Sequence, residues 1–204
     1  MTFSRRLAEQ LARPSGRAGR LLGRAMDVAN RRPLRLAVDL LAPRAGERIL
    51  DAGCGTGAAM AQMLERAPCR PTGVDVSPEM LGVARRRLGT SADYFLGAIA
   101  TISASAAPYD AILALNVLYF DDADASMVRA LHRLLRPGGR LVGYVTDRAT
   151  MDGWAFAGAG LHRLYDRHAL AEAMCNGGFA PDAVRVQEVR ITASVQGLLV
   201  HAER

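Results

Sequence analysis

The sequence predicts an α/β protein: a doubly wound, mostly parallel seven-stranded sheet preceded by an N-terminal helical cap. Three observations lead there. Strand-like and helix-like patterns alternate from residue 47 to residue 175, as they do when parallel strands are joined by crossover helices. A buried strand at the start of that region runs into three glycines at every second position and then into a helical run. Two strand-like stretches, 184–189 and 194–201, close the chain and read as an antiparallel pair at the sheet edge. The division expected is a cap over residues 1–45 and a ligand-binding domain over 46–204.

The 204 residues suffice for one domain with a sizeable core, and half of them are hydrophobic. No apolar run approaches the ~20 residues that cross a bilayer. Cys54, Cys69 and Cys175 are odd in number and lack C-x-x-C spacing, which argues against a disulfide framework and against a metal site, and favours a reducing, cytoplasmic compartment. The net charge of +6 is unevenly placed. Residues 1–35 hold nine arginines against Glu9 and Asp27, while the remainder is nearly neutral, with seventeen arginines against eighteen acids. All 26 basic residues are arginine, a usage that fits codon bias in a GC-rich genome. Phe3 is the only aromatic among the first 35 residues, so the stacking groups of a nucleic-acid surface are missing and no nucleic-acid partner is expected. The basic segment is suited to weak contact with a membrane surface, and its Arg-rich, acid-poor character is also that of a presequence.

Taken in order, residues 4–12 read as a short helix stopped by Pro14. Residues 17–30 read as a second, with Ala18, Leu21, Leu22, Ala25, Met26 and Ala29 on one face. A third helix spans 33–41, and 43–46 turns the chain into the first strand. That strand ends Ile49-Leu50-Asp51, followed by Ala52-Gly53-Cys54-Gly55-Thr56-Gly57 and a helix from Ala58. Glycines are needed in so tight a turn because it requires positive φ, and because a ligand approaches backbone most closely where there is no Cβ. The helix beyond offers unpaired N–H groups. Gly53-x-Gly55-x-x-Ala58 also satisfies the relaxed dinucleotide fingerprint, but Asp51 would repel a pyrophosphate and attract an ammonium.

The phrase Ile-Leu-Asp-Ala-Gly-Cys-Gly-Thr-Gly resembles the first motif of class I S-adenosylmethionine-dependent methyltransferases, and the chain is most similar to small bacterial enzymes of the ubiquinone and menaquinone biosynthesis type. Pro14-Ser15-Gly16, Gly19-Arg20 and the stretch Met26 to Arg31 match the N-terminal pattern of such enzymes, whose N-terminal helices lie over the cofactor. The resemblance implies a Rossmann-like methyltransferase fold, S-adenosyl-L-methionine as cofactor, and a loop of Asp51, Gly53, Cys54, Gly55, Thr56 and Gly57 around its methionine part.

The second strand, 71–75, ends in Asp75, where a carboxylate can accept both hydroxyls of a ribose. Ser77 caps the next helix and Pro78 takes its first position. Val76 and Met80 are expected to flank the adenine. The third strand, 93–96, runs into Gly97-Ala98-Ile99. The family commonly has Asp where this chain has Ala98, so backbone at Ala98 and Ile99 must serve the adenine, at a cost of about tenfold in affinity. The fourth strand starts at Tyr109, with Asp110 structural, and carries Leu115, Asn116 and Tyr119 towards the reaction centre by resemblance to the family's fourth motif. Asp121, Asp122 and Asp124 place acids at the start of a helix over 125–135. Leu134 to Val142, with Pro137-Gly138-Gly139, reads as helix, turn and fifth strand. Residues 146–164 are irregular and hold Trp154, Phe156 and His162, with Tyr165 beyond, as acceptor-pocket or core residues. Asp166 caps a helix over 167–175.

Methyl transfer by direct displacement needs chiefly alignment, to a small acceptor that an apolar lining from Leu22, Met26, Trp154 and Phe156 would make lipophilic or aromatic. Tyr119 and His162 are the candidate bases, with His168 and Asp147 behind them. Two rivals stand: a cofactor-binding scaffold without transferase activity, on account of Ala98, and a nicotinamide-dependent oxidoreductase, which the absence of any Tyr-x-x-x-Lys pair disfavours.

Overall fold

A computed structural model describes residues 16–102, 108–154, 157 and 162–204. The expected helix at 4–12 and Phe156 lie outside the described residues, as does the side chain of Leu22. The helices are α1 (Gly16–Ala29), α2 (Arg31–Leu41), α3 (Ala58–Arg66), α4 (Pro78–Leu88), α5 (Ser126–Leu134), α6 (Arg148–Met151) and α7 (Arg167–Asn176). The strands are β1 (Arg48–Ala52), β2 (Arg70–Asp75), β3 (Asp93–Leu96), β4 (Tyr109–Leu115), β5 (Leu135–Thr146), β6 (Val184–Arg190) and β7 (Gln196–Glu203). They form one seven-stranded sheet in the order β3-β2-β1-β4-β5-β7-β6. All neighbours are parallel except at β7, which is inserted antiparallel between β5 and β6. The strand order reverses between β1 and β4, and that is where an open α/β sheet leaves a crevice for a ligand.

The central strands are buried on both faces, which is why Ile49-Leu50, Ala111 to Ala114 and Leu141-Val142 read as apolar runs without alternation. Helix α2 belongs to this core. Its Leu34, Ala37, Val38 and Leu41 pack with Ile49, Leu113, Val142 and Leu199 on one face of the sheet. A boundary at residue 45 therefore does not separate two packing units. Arg140 fixes the end of α2 by donating to the carbonyls of Leu41 and Ala42, at 2.7 and 3.0 Å, while pairing with Glu47 at 2.8 Å.

The Pro137-Gly138-Gly139 turn differs from the simple helix-to-strand turn expected. Leu135 already pairs with Tyr109, and pairing resumes at Arg140 with Ala111, so residues 136–139 bulge out of β5. Asp110 holds the bulge by accepting from Arg136 Nε at 2.7 Å and from Arg48 N at 2.8 Å, the structural role expected of it. Ser77 caps α4 through Met80 N, and Asp166 caps α7 through Ala169 N.

Candidate functional site

A cavity of about 250 Å3 opens at the switch point between β1 and β4. One wall is made of backbone and fixed carboxylates. Asp51, at the end of β1, is 2% exposed, and its Oδ2 has no hydrogen-bond partner. Burial first, and the Asp75 carboxylate second, push its pKa up to about 7. Gly53, Gly55 and Gly57 all have left-handed φ, of 74°, 52° and 75°. They differ in surroundings: a Cβ on Gly53 would lie 3.0 Å from Val117 Cγ2, whereas one on Gly55 would meet nothing within 4 Å. Gly55 therefore faces the open side of the loop, and Gly57 packs against α4 at Ala84.

Asp75 ties that loop to β2. Its Oδ2 accepts from Gly55 N and its Oδ1 from Ser77 N, both at 2.8 Å, which leaves each oxygen a further lone pair. Burial raises its pKa, against the lowering by those N–H groups. Val76, Met80, Ala98 and Ile99 line the far, apolar end. The Ala98 carbonyl is engaged by Thr101 N and Thr101 Oγ1, at 3.0 and 2.7 Å, so its acceptor capacity is used within the loop.

The opposite wall is made of side chains from α1, α2 and the loop after β4. Helix α1 approaches the glycine loop closely because residue 23 is glycine. A Cβ there would lie 3.0 Å from Met80 Sδ and 3.2 Å from Thr56 Cγ2. Four residues on, Asp27 accepts from Thr56 Oγ1 at 2.6 Å and from Arg87 at 2.8 Å, and Arg87 also donates to Thr56 Oγ1 at 3.1 Å. This clamp holds α1, the loop and α4 together. Beyond it, Asn116 adopts a left-handed φ of 56°, which Asn tolerates better than most residues. Its Nδ2 donates to Asn30 Oδ1 at 3.0 Å, and its Oδ1 accepts from the Tyr119 hydroxyl at 3.3 Å.

Of the residues singled out in the sequence, Asp51, Gly53, Cys54, Gly55, Thr56, Asp75, Val76, Met80, Ala98, Ile99, Leu115, Asn116 and Met26 line this one cavity. Gly57, Tyr119, His162 and Trp154 do not line it. Tyr119 lies behind the wall, accepting from Thr146 N and donating to Asn116, and burial holds its phenol proton well above the usual range. His162 packs against Phe120 and Tyr119, with ring centroids 5.1 and 6.0 Å away, and burial lowers its pKa. Tyr165 is fully buried and donates to the Leu118 carbonyl, Trp154 packs on the core, and Asp147 caps α6. Burial raises the Cys54 thiol far above its ordinary range.

Sequence reasoning gave Asp27 and Arg87 no role, and had Asn30 only within the Met26 to Arg31 stretch. Asp27 carried a signal, being one of only two acids among the first 35 residues. Among the described residues no cluster of acids, histidines and cysteines could hold a metal ion, and no helix is long and apolar enough to cross a membrane.

Residues 49–139 match the family profile described as a methyltransferase domain. The chain is 42% identical over 124 residues to the ubiquinone biosynthesis O-methyltransferase of Methylocella silvestris, covering 58% of this chain and 48% of that protein. It is 39% identical over 103 residues to the protein of that name from Xylella fastidiosa, covering 48% and 42%. The match thus spans about half the length of these curated relatives. In structure it is similar to the 1,6-didemethyltoxoflavin-N1-methyltransferase of Burkholderia thailandensis, solved with 1,6-didemethyltoxoflavin and S-adenosylhomocysteine, at 25% identity and a TM-score of 0.70 over 88% of this chain and 82% of that one. The N-methyltransferase NodS of Bradyrhizobium japonicum shares the fold, at 21% identity and a TM-score of 0.66 over 87% and 97%.

Proposed function

We propose that this chain, which carries a methyltransferase domain, transfers the methyl group of S-adenosylmethionine to a small lipophilic or aromatic acceptor. The observation that carries the reading is the unpartnered Oδ2 of Asp51, buried in the cavity beside the glycine loop. A buried carboxylate without a partner is costly, and the ammonium of a methionine arm supplies the missing charge. The spare lone pairs of Asp75 suit the two hydroxyls of a ribose, and Val76, Met80 and Ile99 offer an apolar surface to a purine ring. No Arg lines the cavity among the described residues, and three carboxylates do, which suits a cationic ligand and opposes a dinucleotide pyrophosphate.

When bound, the cofactor supplies an electrophilic methyl on a sulfonium. The chain's own contribution is to position the acceptor and exclude water. Met26, Leu34, Phe120 and Met127 give the acceptor side an apolar lining. The names of the Methylocella and Burkholderia relatives point to ring-bearing acceptors, one methylated at oxygen and one at nitrogen. With Tyr119 and His162 outside the cavity lining, we read Tyr119 as the support of Asn116 rather than as a base. The same proposal makes α1, within the 1–45 segment, the cap over the cofactor, places the protein in the cytoplasm without a nucleic-acid partner, and leaves to the basic N-terminal segment a weak contact with membrane surfaces.

Isothermal titration with S-adenosylmethionine, S-adenosylhomocysteine and NADH tests the cofactor. Micromolar binding of the first two and none of NADH is expected. Saturable NADH binding alone overturns the reading, and cofactor binding with no homocysteine released across a panel of phenols, catechols and aromatic amines favours the scaffold.

A further inference from the structure

A directed chain of hydrogen bonds runs from the sheet to the cap and ends in the cavity. The backbone N–H of Thr146 can only donate, and it donates to the Tyr119 oxygen, so the Tyr119 proton passes on to Asn116 Oδ1. That fixes the Asn116 amide with its Nδ2 towards Asn30, whose Oδ1 accepts at 3.0 Å. The Asn30 amide is thereby oriented too. Its backbone is held on both sides, by N–H donation to Met26 O and by acceptance from Leu34 N, both at 2.8 Å. The Nδ2 group of Asn30 has no partner among the described residues, and Asn30 lines the cavity. The competing polar groups are spoken for: the Thr56 hydroxyl is given to Asp27, and Asp51 and Asp75 repel negative charge.

We propose that the Asn30 amide nitrogen is the cavity's donor for an electron-rich oxygen of the bound ligand, and hence a specificity-determining residue. The inference rests on the reading that this cavity takes an S-adenosyl cofactor and an acceptor. The oxygen belongs either to the cofactor's carboxylate or to a carbonyl of the acceptor; both need an N–H here because no cation lines the cavity among the described residues. A donor so placed rejects a ligand lacking that oxygen, since the amide would be left dry and unpaired.

Asn30→Asp keeps the Oδ1 that Asn116 uses and replaces the donor by an acceptor, so the fold is conserved and the contact is lost. Titrations compare two pairs of ligands on the wild type and on this variant, at pH 8. One pair is S-adenosylhomocysteine and its decarboxylated analogue. The other, on protein saturated with S-adenosylhomocysteine, is 4-hydroxyacetophenone and 4-ethylphenol. The variant is expected to lose tenfold or more in affinity for the member of one pair that carries the carboxylate or carbonyl, while the partner lacking that group changes less than twofold. Loss in the first pair assigns the oxygen to the cofactor, and loss in the second to the acceptor. Asn30→Leu, with its melting temperature recorded, must give the same split. Equal changes within both pairs, or no change in either, overturn the proposal. Failure of the wild type to bind S-adenosylhomocysteine at all overturns the cofactor reading, and this proposal with it.

Discussion

The two walls of the cavity are built in opposite ways. The wall at the ends of β1 and β2 draws on two short stretches of sequence, made of backbone N–H groups and two strand-end acids, and its loop is held by the sheet itself: Gly53 N and Cys54 N both donate to Val74 O, at 2.8 and 2.9 Å. The facing wall is assembled from distant side chains, such as Asn30 and Asn116, 86 residues apart. The difference teaches where binding strength and selectivity reside. A wall set by strand register can hold the common part of a ligand, whereas a wall of side chains can be altered one residue at a time. Substitutions on the first should therefore cost affinity, and those on the second should alter choice.

The largest effect is expected at Asp75, which both faces the cavity and anchors Gly55. Asp75→Ala removes the ribose acceptors and the carboxylate to which Gly55 N and Ser77 N donate, so S-adenosylhomocysteine binding should fall about a hundredfold. A fall below threefold would mean the ribose is held elsewhere and the loop keeps its shape unaided.

Asp51→Asn comes next, and separates affinity from stability. The variant should bind S-adenosylhomocysteine roughly tenfold more weakly, through loss of the ammonium's counter-charge. Stability should move the other way. The folded pKa is raised to about 7 by burial and by the Asp75 carboxylate, from the ordinary carboxylate range of about 4, so the folded state holds a proton that the unfolded state releases. That contribution is fully present below pH ~4, is lost as pH rises to 7, and leaves the wild type carrying an ionised, unpartnered carboxylate above it. Ligand-free Asp51→Asn should accordingly melt roughly 5 °C higher than wild type at pH 8 and alike at pH 4. Equal melting at pH 8 would mean Asp51 is already compensated.

The same contrast explains what could be read from the sequence. The alternation of strands and helices and the glycine loop of the first wall were legible because each depends on a local pattern: an apolar run, an acid, then glycines whose positive φ few other residues adopt cheaply. The bulge in β5 was not, because Pro137-Gly138-Gly139 looks the same whether it ends a helix or interrupts a ladder; the pairing of Leu135 with Tyr109 decides it. Helix α2 was read as part of the cap because its apolar stripe cannot say which surface it covers. Asn30 was legible only as part of the Met26 to Arg31 stretch, since a single Asn between two helices has the form of any turn residue.

A smaller effect is expected at the clamp between the walls. Asp27 and Arg87 have side chains 26% and 34% exposed, so their ion pair contributes at most ~1 kcal/mol. Asp27→Asn should still accept from Thr56 and hold α1 near the loop, with cofactor affinity reduced about threefold and dissociation accelerated more than association. A slowed association instead would mean the clamp guides entry rather than retention.

His162 should matter least, and for an informative reason. If it took a proton from the acceptor, turnover would show an acidic limb that vanishes in His162→Gln. Its ring instead stacks behind Phe120, its pKa is lowered by burial, and no part of it lines the cavity. An imidazole so placed is neutral at pH 7, but a base must come within hydrogen-bond reach of the proton it takes, and the wall stands between. His162→Gln should therefore leave kcat within twofold and the pH profile unchanged, so that the only ionisation seen in turnover is the acceptor's own. Replacing one phenol by a more acidic one should then shift that limb with the substrate. A limb that stays fixed while the phenol changes would show that a group of the protein removes the proton, and the second wall would have to be credited with chemistry as well as choice.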